Sequence, residues 1–188
     1  MEQKSTLRQC VIPLHKPSNR ELAFFFISGM AISFPFALFF EGFSVTISLI
    51  GSVVVLGPLI EELAKVFPLF YRHGETERSI ANLGLMLGLG FGITEFLEYT
   101  IFFGSPVLVR IPGIIFHASS ATITSYGIAK KNPLPYYLIA ASLHIANNFF
   151  AVDQSLGFGI VINLIVLLTT YYLAWYFYHK TSTEKMVV

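Results

Sequence analysis

The chain has 188 residues, of which 54% are hydrophobic, 15% are aromatic and only 12% are charged. This balance is typical of an integral membrane protein with one compact domain. A formal net charge of +1 without a basic cluster gives no indication of nucleic-acid binding. Cys10 is the only cysteine, which excludes a disulfide framework and a CxxC metal site.

Six apolar stretches follow one another along the chain, and about 20 apolar residues suffice to cross a bilayer. The basic tail at residues 1–21 is too long for a signal peptide, so the first stretch is expected to be a retained helix. An all-α bundle of six transmembrane helices is therefore predicted, with one domain at 22–179 and a tail at 180–188. The stretches are Glu21–Phe40, Val45–Tyr71, Ser79–Phe103, Pro106–Ala129, Leu134–Val152 and Leu156–Tyr178.

The distribution of Lys and Arg predicts the orientation of these helices. Lys and Arg occur in the amino-terminal tail, in the segment 72–78, in the turn 130–131 and after Tyr178. The intervening turns near Glu41, Gly104 and Asp153 have almost none. Because positive residues remain inside the cell, both termini are predicted to be cytosolic in a multi-pass protein of the cell membrane.

Charged side chains inside the apolar stretches indicate a functional site. Each costs about 2.5–3.5 kcal/mol at mid-membrane, so six cost roughly 15 kcal/mol or more before partners are counted. Lys65 is expected to pair with Glu61 one turn earlier. Arg110 is expected to pair with Glu95 or Glu98. Surplus carboxylate remains, which predicts a protonated glutamate or a bound cation. The six residues are Glu61, Glu62, Lys65, Glu95, Glu98 and Arg110.

The third stretch carries glycines at four-residue spacing, Gly84, Gly88 and Gly92. Such a face of small residues lets a neighbouring helix approach closely. At about 100° per residue, Glu95 and Glu98 fall on the same face. Close packing and two carboxylates are thus predicted to share one interface.

Two histidines lie at the middle of neighbouring stretches. His117 shares a stripe with Arg110, and His144 precedes Asn148 by one turn. A lone helical histidine is more often a packed core residue than a ligand. Two of them beside intramembrane glutamates favour a functional role.

Several kinds of hydrolytic site are excluded by the residues that the chain lacks. Asp153 is the only aspartate, no His is followed by Glu, there is no GxSxG motif, and Cys10 is remote. The remaining set of glutamate, histidine and asparagine suits hydrolysis by activated water. A carboxylate would be the general base, and His and Asn would polarise the carbonyl or stabilise the oxyanion.

Four motifs in order carry a family resemblance: Glu61-Glu62-x-x-Lys65, Gly90-Phe91-Gly92-Ile93-Thr94-Glu95-x-x-Glu98, His117-Ala118 running to Tyr126-Gly127, and His144-x-x-x-Asn148. With them the chain resembles the PrsW family of intramembrane proteases, within the CAAX prenyl protease-like superfamily, over about Gly57 to Phe150. The resemblance implies cleavage of a single-pass membrane protein, such as an anti-sigma factor, at the lipid membrane.

The resemblance departs from the CAAX pattern at two positions. The CAAX enzymes have Phe-x-x-x-His where this chain has Phe91-x-x-x-Glu95, and they have Arg one residue after the position of Lys65. A prenylated substrate is therefore not implied.

The expected enzyme is a six-helix intramembrane endopeptidase. Glu61 is the expected base, and Glu62 is expected to influence its protonation as a nearby like charge. The catalytic set is completed by Glu95, His117, His144 and Asn148, with Lys65, Glu98 and Arg110 in support. A proton- or cation-coupled carrier would also use intramembrane Glu and His, although the chain has no internal repeat. A non-catalytic scaffold, like the Aph subunit of gamma-secretase, is the third hypothesis, and the intact Glu-Glu pair favours an enzyme over it.

The sequence leaves open whether a metal takes part. His117 and His144 with one glutamate would form a His₂Glu set, which Zn²⁺ accepts while leaving a position for water. No two of these candidate ligands have the short spacing of known zinc motifs. A metal-free mechanism would need only a water held by Glu61 and a histidine, with His144 and Asn148 as oxyanion donors. Glu95 favours the metal because it adds an anionic side chain.

Overall fold

The computed structural model describes residues 16–46, 48–71, 75–152 and 158–187. The chain is mostly helical, which confirms the all-α prediction. The first stretch forms α1 (Asn19–Ser28), a π-helical turn (Gly29–Ser33) and α2 (Phe34–Val45). The second forms α3 (Leu49–Gly51), a π-helical turn (Ser52–Leu56), α4 (Gly57–Val66) and a 3-10 turn (Phe67–Tyr71). The others form α5 (Glu77–Ile101), α6 (Val107–Ala129), α7 (Pro133–Val152) and α8 (Gly159–His179).

Four helical segments in the described part of the chain are long and apolar enough to cross a membrane: Asn19–Val45, Glu77–Ile101, Val107–Ala129 and Gly159–His179. Two of the six predicted spans are not among them. The second is divided between short helical segments and carries three charged residues, and α7 contains one histidine and two asparagines. Both of these spans carry candidate site residues.

Each π-helical turn is followed at once by a proline in the first turn of the next helix, Pro35 in α2 and Pro58 in α4. Proline has no N–H to donate, so the regular hydrogen-bond ladder is interrupted there. Single π-helical turns inside α-helices are frequent at functional sites. The second one ends immediately before Gly57-Pro58 and sets the position of Glu61 one turn later.

Helix α5 lies at the centre of the bundle, between α1 and α6. A Cβ atom at Gly88 would lie 2.6 Å from Ala121 Cβ, and one at Gly92 would lie 3.0 Å from Ile114 Cα, both on α6. On the opposite side, a Cβ at Gly90 would lie 3.0 Å from the carbonyl carbon of Phe26 in α1. The predicted small-residue face is thus confirmed, and it brings the backbones of α5 and α6 into direct contact.

The carboxyl-terminal segment folds back onto the start of α5. Strand β1 (Glu75–Thr76) pairs antiparallel with β2 (Met186–Val187). The Glu77 carboxylate accepts hydrogen bonds from Lys130 Nζ at 2.6 Å and from the Ser182 backbone N–H at 2.9 Å, and Lys185 Nζ lies 3.4 Å from it. These four residues, called the Glu77 cluster below, hold together the ends of α5 and α6 and the segment after α8.

Candidate functional site

Three side chains from three different helices meet inside the bundle. Glu61 comes from α4, His117 from α6 and His144 from α7. His117 Nδ1 and His144 Nε2 each lie 3.9 Å from Glu61 Oε2. One potential ligand atom from each residue lies within 4.8 Å of the other two. We call these residues the Glu–His–His group.

Two further carboxylates hold the outer sides of the imidazole rings. Glu62 Oε1 lies 2.8 Å from His144 Nδ1, and Glu95 Oε2 contacts His117 Nε2. Each histidine is therefore fixed by a carboxylate at one ring nitrogen while its other nitrogen faces Glu61. Metal-binding histidines are commonly oriented by outer carboxylates in this way. Glu62 and Glu95 thus each hold one ring at the nitrogen that does not face Glu61.

Lys65 is completely buried and binds the Glu-Glu pair. Its Nζ lies 3.7 Å from Glu61 Oε2, so the predicted pair exists, but it lies only 2.7 Å from Glu62 Oε1. The ammonium group also lies 4.8 Å from the centre of the Phe91 ring on α5. Lys65 consequently offsets mainly the charge of Glu62.

Arg110 pairs with Glu95, as predicted, but the two charged groups are too far apart for a hydrogen bond. Its NH2 atom is 4.0 Å from Glu95 Oε1, while its guanidinium carbon lies 3.3 Å from the centre of the Tyr99 ring. Glu98 is near both Glu95 and Arg110. Among the described residues, its carboxylate makes no hydrogen bond or ion pair with a residue of the site. Stacking on Tyr99, rather than a close ion pair, therefore fixes the guanidinium.

Asn148 already has hydrogen-bond partners within the protein. Its Nδ2 donates to the Val53 carbonyl at 3.0 Å, and its Oδ1 accepts from Asn147 Nδ2 at 3.3 Å. Val53 belongs to the π-helical turn that precedes α4. Asn148 thus holds α7 against that turn. One of the Nδ2 hydrogens that was expected to stabilise an oxyanion is already bonded to the Val53 carbonyl.

A cleft of about 680 Å³ opens beside the two histidines. It lies between the carboxyl-terminal parts of α5 and α7 and the amino-terminal parts of α6 and α8. Its walls are largely apolar, as is usual for ligand sites of this size. The polar residues that line it are Ser105, Glu95, Arg110, His117, His144, Asn147, Asn148 and Asn163. Tyr99, Asn147 and Asn163 were missed by the sequence reasoning, although a single amide in an apolar span was a usable signal for Asn163.

Glu41 is a further residue that the sequence reasoning assigned to a turn. It lies within α2, and a Cβ atom at Gly57 would be 3.8 Å from its carboxyl carbon. Gly57 precedes Glu61 by one turn of α4, and the charge of Glu41 acts on both Glu61 and Glu95. The site therefore contains one more acidic group than the motifs indicate. Asp153, near the predicted turn before α8, lies outside the described residues.

The Glu–His–His group fits a metal ion by two observations. Glu61 Oε2 and His117 Nδ1 are buried and have no hydrogen-bond partner in the described part of the chain. One carboxylate with two imidazoles is also a donor set that zinc accepts at catalytic sites. Glu61, His117 and His144 could thus hold a metal ion.

Comparisons with protein-family models, curated proteins and solved structures find no match to the chain. The functional proposal therefore depends on the geometry of the site and on the order of the four motifs.

Proposed function

We propose that the protein is an intramembrane endopeptidase of PrsW type. In this proposal, water between Glu61, His117 and His144 hydrolyses a peptide bond of a membrane-associated substrate, for which a single-pass protein such as an anti-sigma factor is the model. The main support is the Glu–His–His group itself, which lies beside a cleft large enough for a peptide segment. Because His117 and His144 line the cleft, a substrate segment bound in it would lie next to the Glu–His–His group.

The hydrogen-bonding pattern of the histidine ring nitrogens indicates what kind of ligand fits between the two rings. Carboxylates accept hydrogen bonds, so in the proposed form Glu62 and Glu95 each accept from the outer ring nitrogen of one histidine. The inner nitrogens of His117 and His144 then present lone pairs toward Glu61. Three acceptors facing one point favour a cation, and for this reason we propose the zinc-bound form over the metal-free one.

Zn²⁺ held by Glu61, His117 and His144 would polarise the carbonyl and lower the pKa of water. The Glu61 carboxylate has two oxygens and can also accept a proton. The water oxygen adds to the carbonyl carbon, and Glu61 takes the proton that the water loses. As the C–N bond breaks, that proton passes to the amine nitrogen. General base catalysis of this kind contributes about 10²–10⁴-fold.

The first experiment tests hydrolysis. Wild type and Glu61→Gln are co-expressed with single-pass membrane proteins tagged on both sides of the membrane, and fragments are quantified. Glu61→Gln should lower cleavage by about 10²–10⁴-fold while inserting normally. Glu184→Gln, at an exposed position, is the control and should cleave like wild type. Undiminished cleavage by Glu61→Gln would remove it as the base, and transport or partner binding without cleavage would support the carrier or scaffold hypotheses.

The second experiment measures metal directly. Elemental analysis of purified wild type should find about one Zn²⁺ per chain, as expected for a single His₂Glu site. His117→Ala should lower the bound zinc even where no substrate is available. Full activity of protein shown to be metal-free would contradict the zinc-bound form and favour the metal-free mechanism.

A further inference from the structure

Asn163 is an amide without a complete set of partners in an otherwise apolar part of α8. Its neighbours Val161 and Ile165 are 58% and 56% exposed on the outer surface of the bundle. Asn163 instead lines the cleft, where its Nδ2 donates to the Asn147 carbonyl at 3.4 Å. Its Oδ1 is buried and has no hydrogen-bond partner among the described residues. An unpaired amide oxygen is costly in such surroundings unless a ligand supplies a donor.

A donor without a hydrogen bond lies on another wall of the same cleft. Arg110 NH2 is buried and makes no hydrogen bond within the described part of the chain. The guanidinium is held by the Tyr99 ring and by the distant Glu95, so its orientation is set before a ligand enters. The cleft thus offers one acceptor and one donor that make no hydrogen bond among the described residues.

The charges nearby decide what kind of group Arg110 can bind. Glu95 and Glu98 both act on Arg110, so two carboxylates accompany one guanidinium. A further anion at this place would be repelled by both glutamates. A neutral carbonyl oxygen accepts a hydrogen bond without adding charge and fits better.

A peptide backbone provides a neutral donor and a neutral acceptor in every residue, but a helix uses both internally. A transmembrane substrate can offer them only where its helix is unwound, and in the membrane the freed groups must find partners. Such a segment fits the acceptor of Asn163 and the donor of Arg110.

We propose that the cleft binds an unwound segment of the substrate backbone, with Asn163 accepting from a substrate N–H and Arg110 donating to a substrate carbonyl. This inference rests on the proposed peptidase function and specifies its substrate class. Transmembrane segments that contain Gly or Pro near the cleaved bond unwind most readily and are the preferred substrates.

The test uses the full-length protein and two single-pass substrates, one with a Gly-Pro pair near the cleaved bond and one with Leu-Ala there. Asn163→Leu should raise KM for the Gly-Pro substrate about 10-fold, as expected for one lost hydrogen bond, and should leave kcat nearly unchanged. Ile165→Leu, on the same helix but facing outward, is the matched control. Arg110→Gln keeps amide donors and should raise KM less than Arg110→Leu.

Binding is measured separately in the Glu61→Gln background, by photo-crosslinking of the intact Gly-Pro substrate. The added Asn163→Leu should reduce crosslinking, whereas the added Ile165→Leu should not. If wild type cleaves but Asn163→Leu keeps the wild-type KM and crosslinking, the inference is wrong while the peptidase function stands. If Asn163→Leu does not fold, the Arg110→Gln and Arg110→Leu variants are measured in the same assays. The inference is then overturned if both variants have the KM and the crosslinking of wild type. If wild type cleaves neither substrate nor any other, the proposed function itself fails.

Discussion

The Glu77 cluster and the Glu–His–His group each contain a glutamate enclosed by the protein, but the first one has more positive partners. The Glu77 side chain is 1% exposed and has two lysines and a backbone N–H within 3.4 Å. The Glu61 side chain is 13% exposed, its nearest cation is Lys65 at 3.7 Å, and Lys65 lies closer to Glu62. One glutamate has more positive partners than it needs, and the other has fewer.

This difference separates a structural role from a functional one. Burying a charge costs free energy that partners must offset, so a carboxylate with two close lysines, such as Glu77, is explained by a structural role. The acidic surplus around Glu61 has no such explanation within the described residues and favours an additional ligand. Identical side chains can thus be assigned different roles from the partners they lack.

The largest effect is expected from breaking the contact that assembles the catalytic end. Gly88→Leu would place a side chain where a Cβ alone lies 2.8 Å from Ala118 Cα, and would push α6 with His117 away from α5. A displacement of about 1 Å can cost roughly 10²-fold in rate, so cleavage should fall by at least that factor.

Gly42→Ala is the control for this change because a Cβ there meets nothing within 4 Å. Cleavage and thermal unfolding of both variants should be compared. Normal activity of Gly88→Leu would contradict the close contact between α5 and α6.

A smaller effect is expected from removing an outer carboxylate. Glu95→Gln leaves the Glu–His–His group intact but weakens the hold on His117 Nε2. Loss of such an outer partner typically costs 10–100-fold in metal affinity or activity. Zinc affinity measured by competition with a chelator should fall in that range. A loss as large as that of Glu61→Gln would instead place Glu95 among the reacting groups.

Glu77→Gln should change stability and leave the chemistry alone. The variant loses the charge that Lys130 and Lys185 share, and a charged hydrogen bond contributes about 1.5–3 kcal/mol to the free energy of unfolding. The unfolding temperature should therefore fall, while cleavage per folded molecule stays as in wild type. Loss of cleavage at unchanged stability would show that the two clusters are not separate in function.

The last prediction changes neither activity nor stability and concerns the side of the membrane on which each cluster lies. Reporter fusions near Lys130, in the Glu77 cluster, should be cytosolic, and fusions near Gly104, at the end where the cleft opens, should be extracytoplasmic. The Lys and Arg distribution is the reason. The opposite result would reverse the predicted orientation and the side from which substrate enters.

The sequence by itself determined the all-α class, the close α5–α6 face and most of the residues that meet in the site. These features depend on local patterns, such as the four-residue spacing of Gly84, Gly88 and Gly92, which places them on one side of a helix in any surroundings. The breaks in the first two spans were not foreseen, although Pro35 and Pro58 were signals for them.

The roles within the site were decided only by the tertiary structure. Helical spacing lets Lys65 reach either Glu61 or Glu62, and His144 on α7 engages Glu62, 82 positions away in the chain. The same packing commits Asn148 to the π-helical turn and turns Asn163 into the cleft. The packing of α4, α6 and α7 decides which ring nitrogen faces inward and which carboxylate stays unpaired. Residue spacing along the chain does not specify how helices distant in sequence pack together.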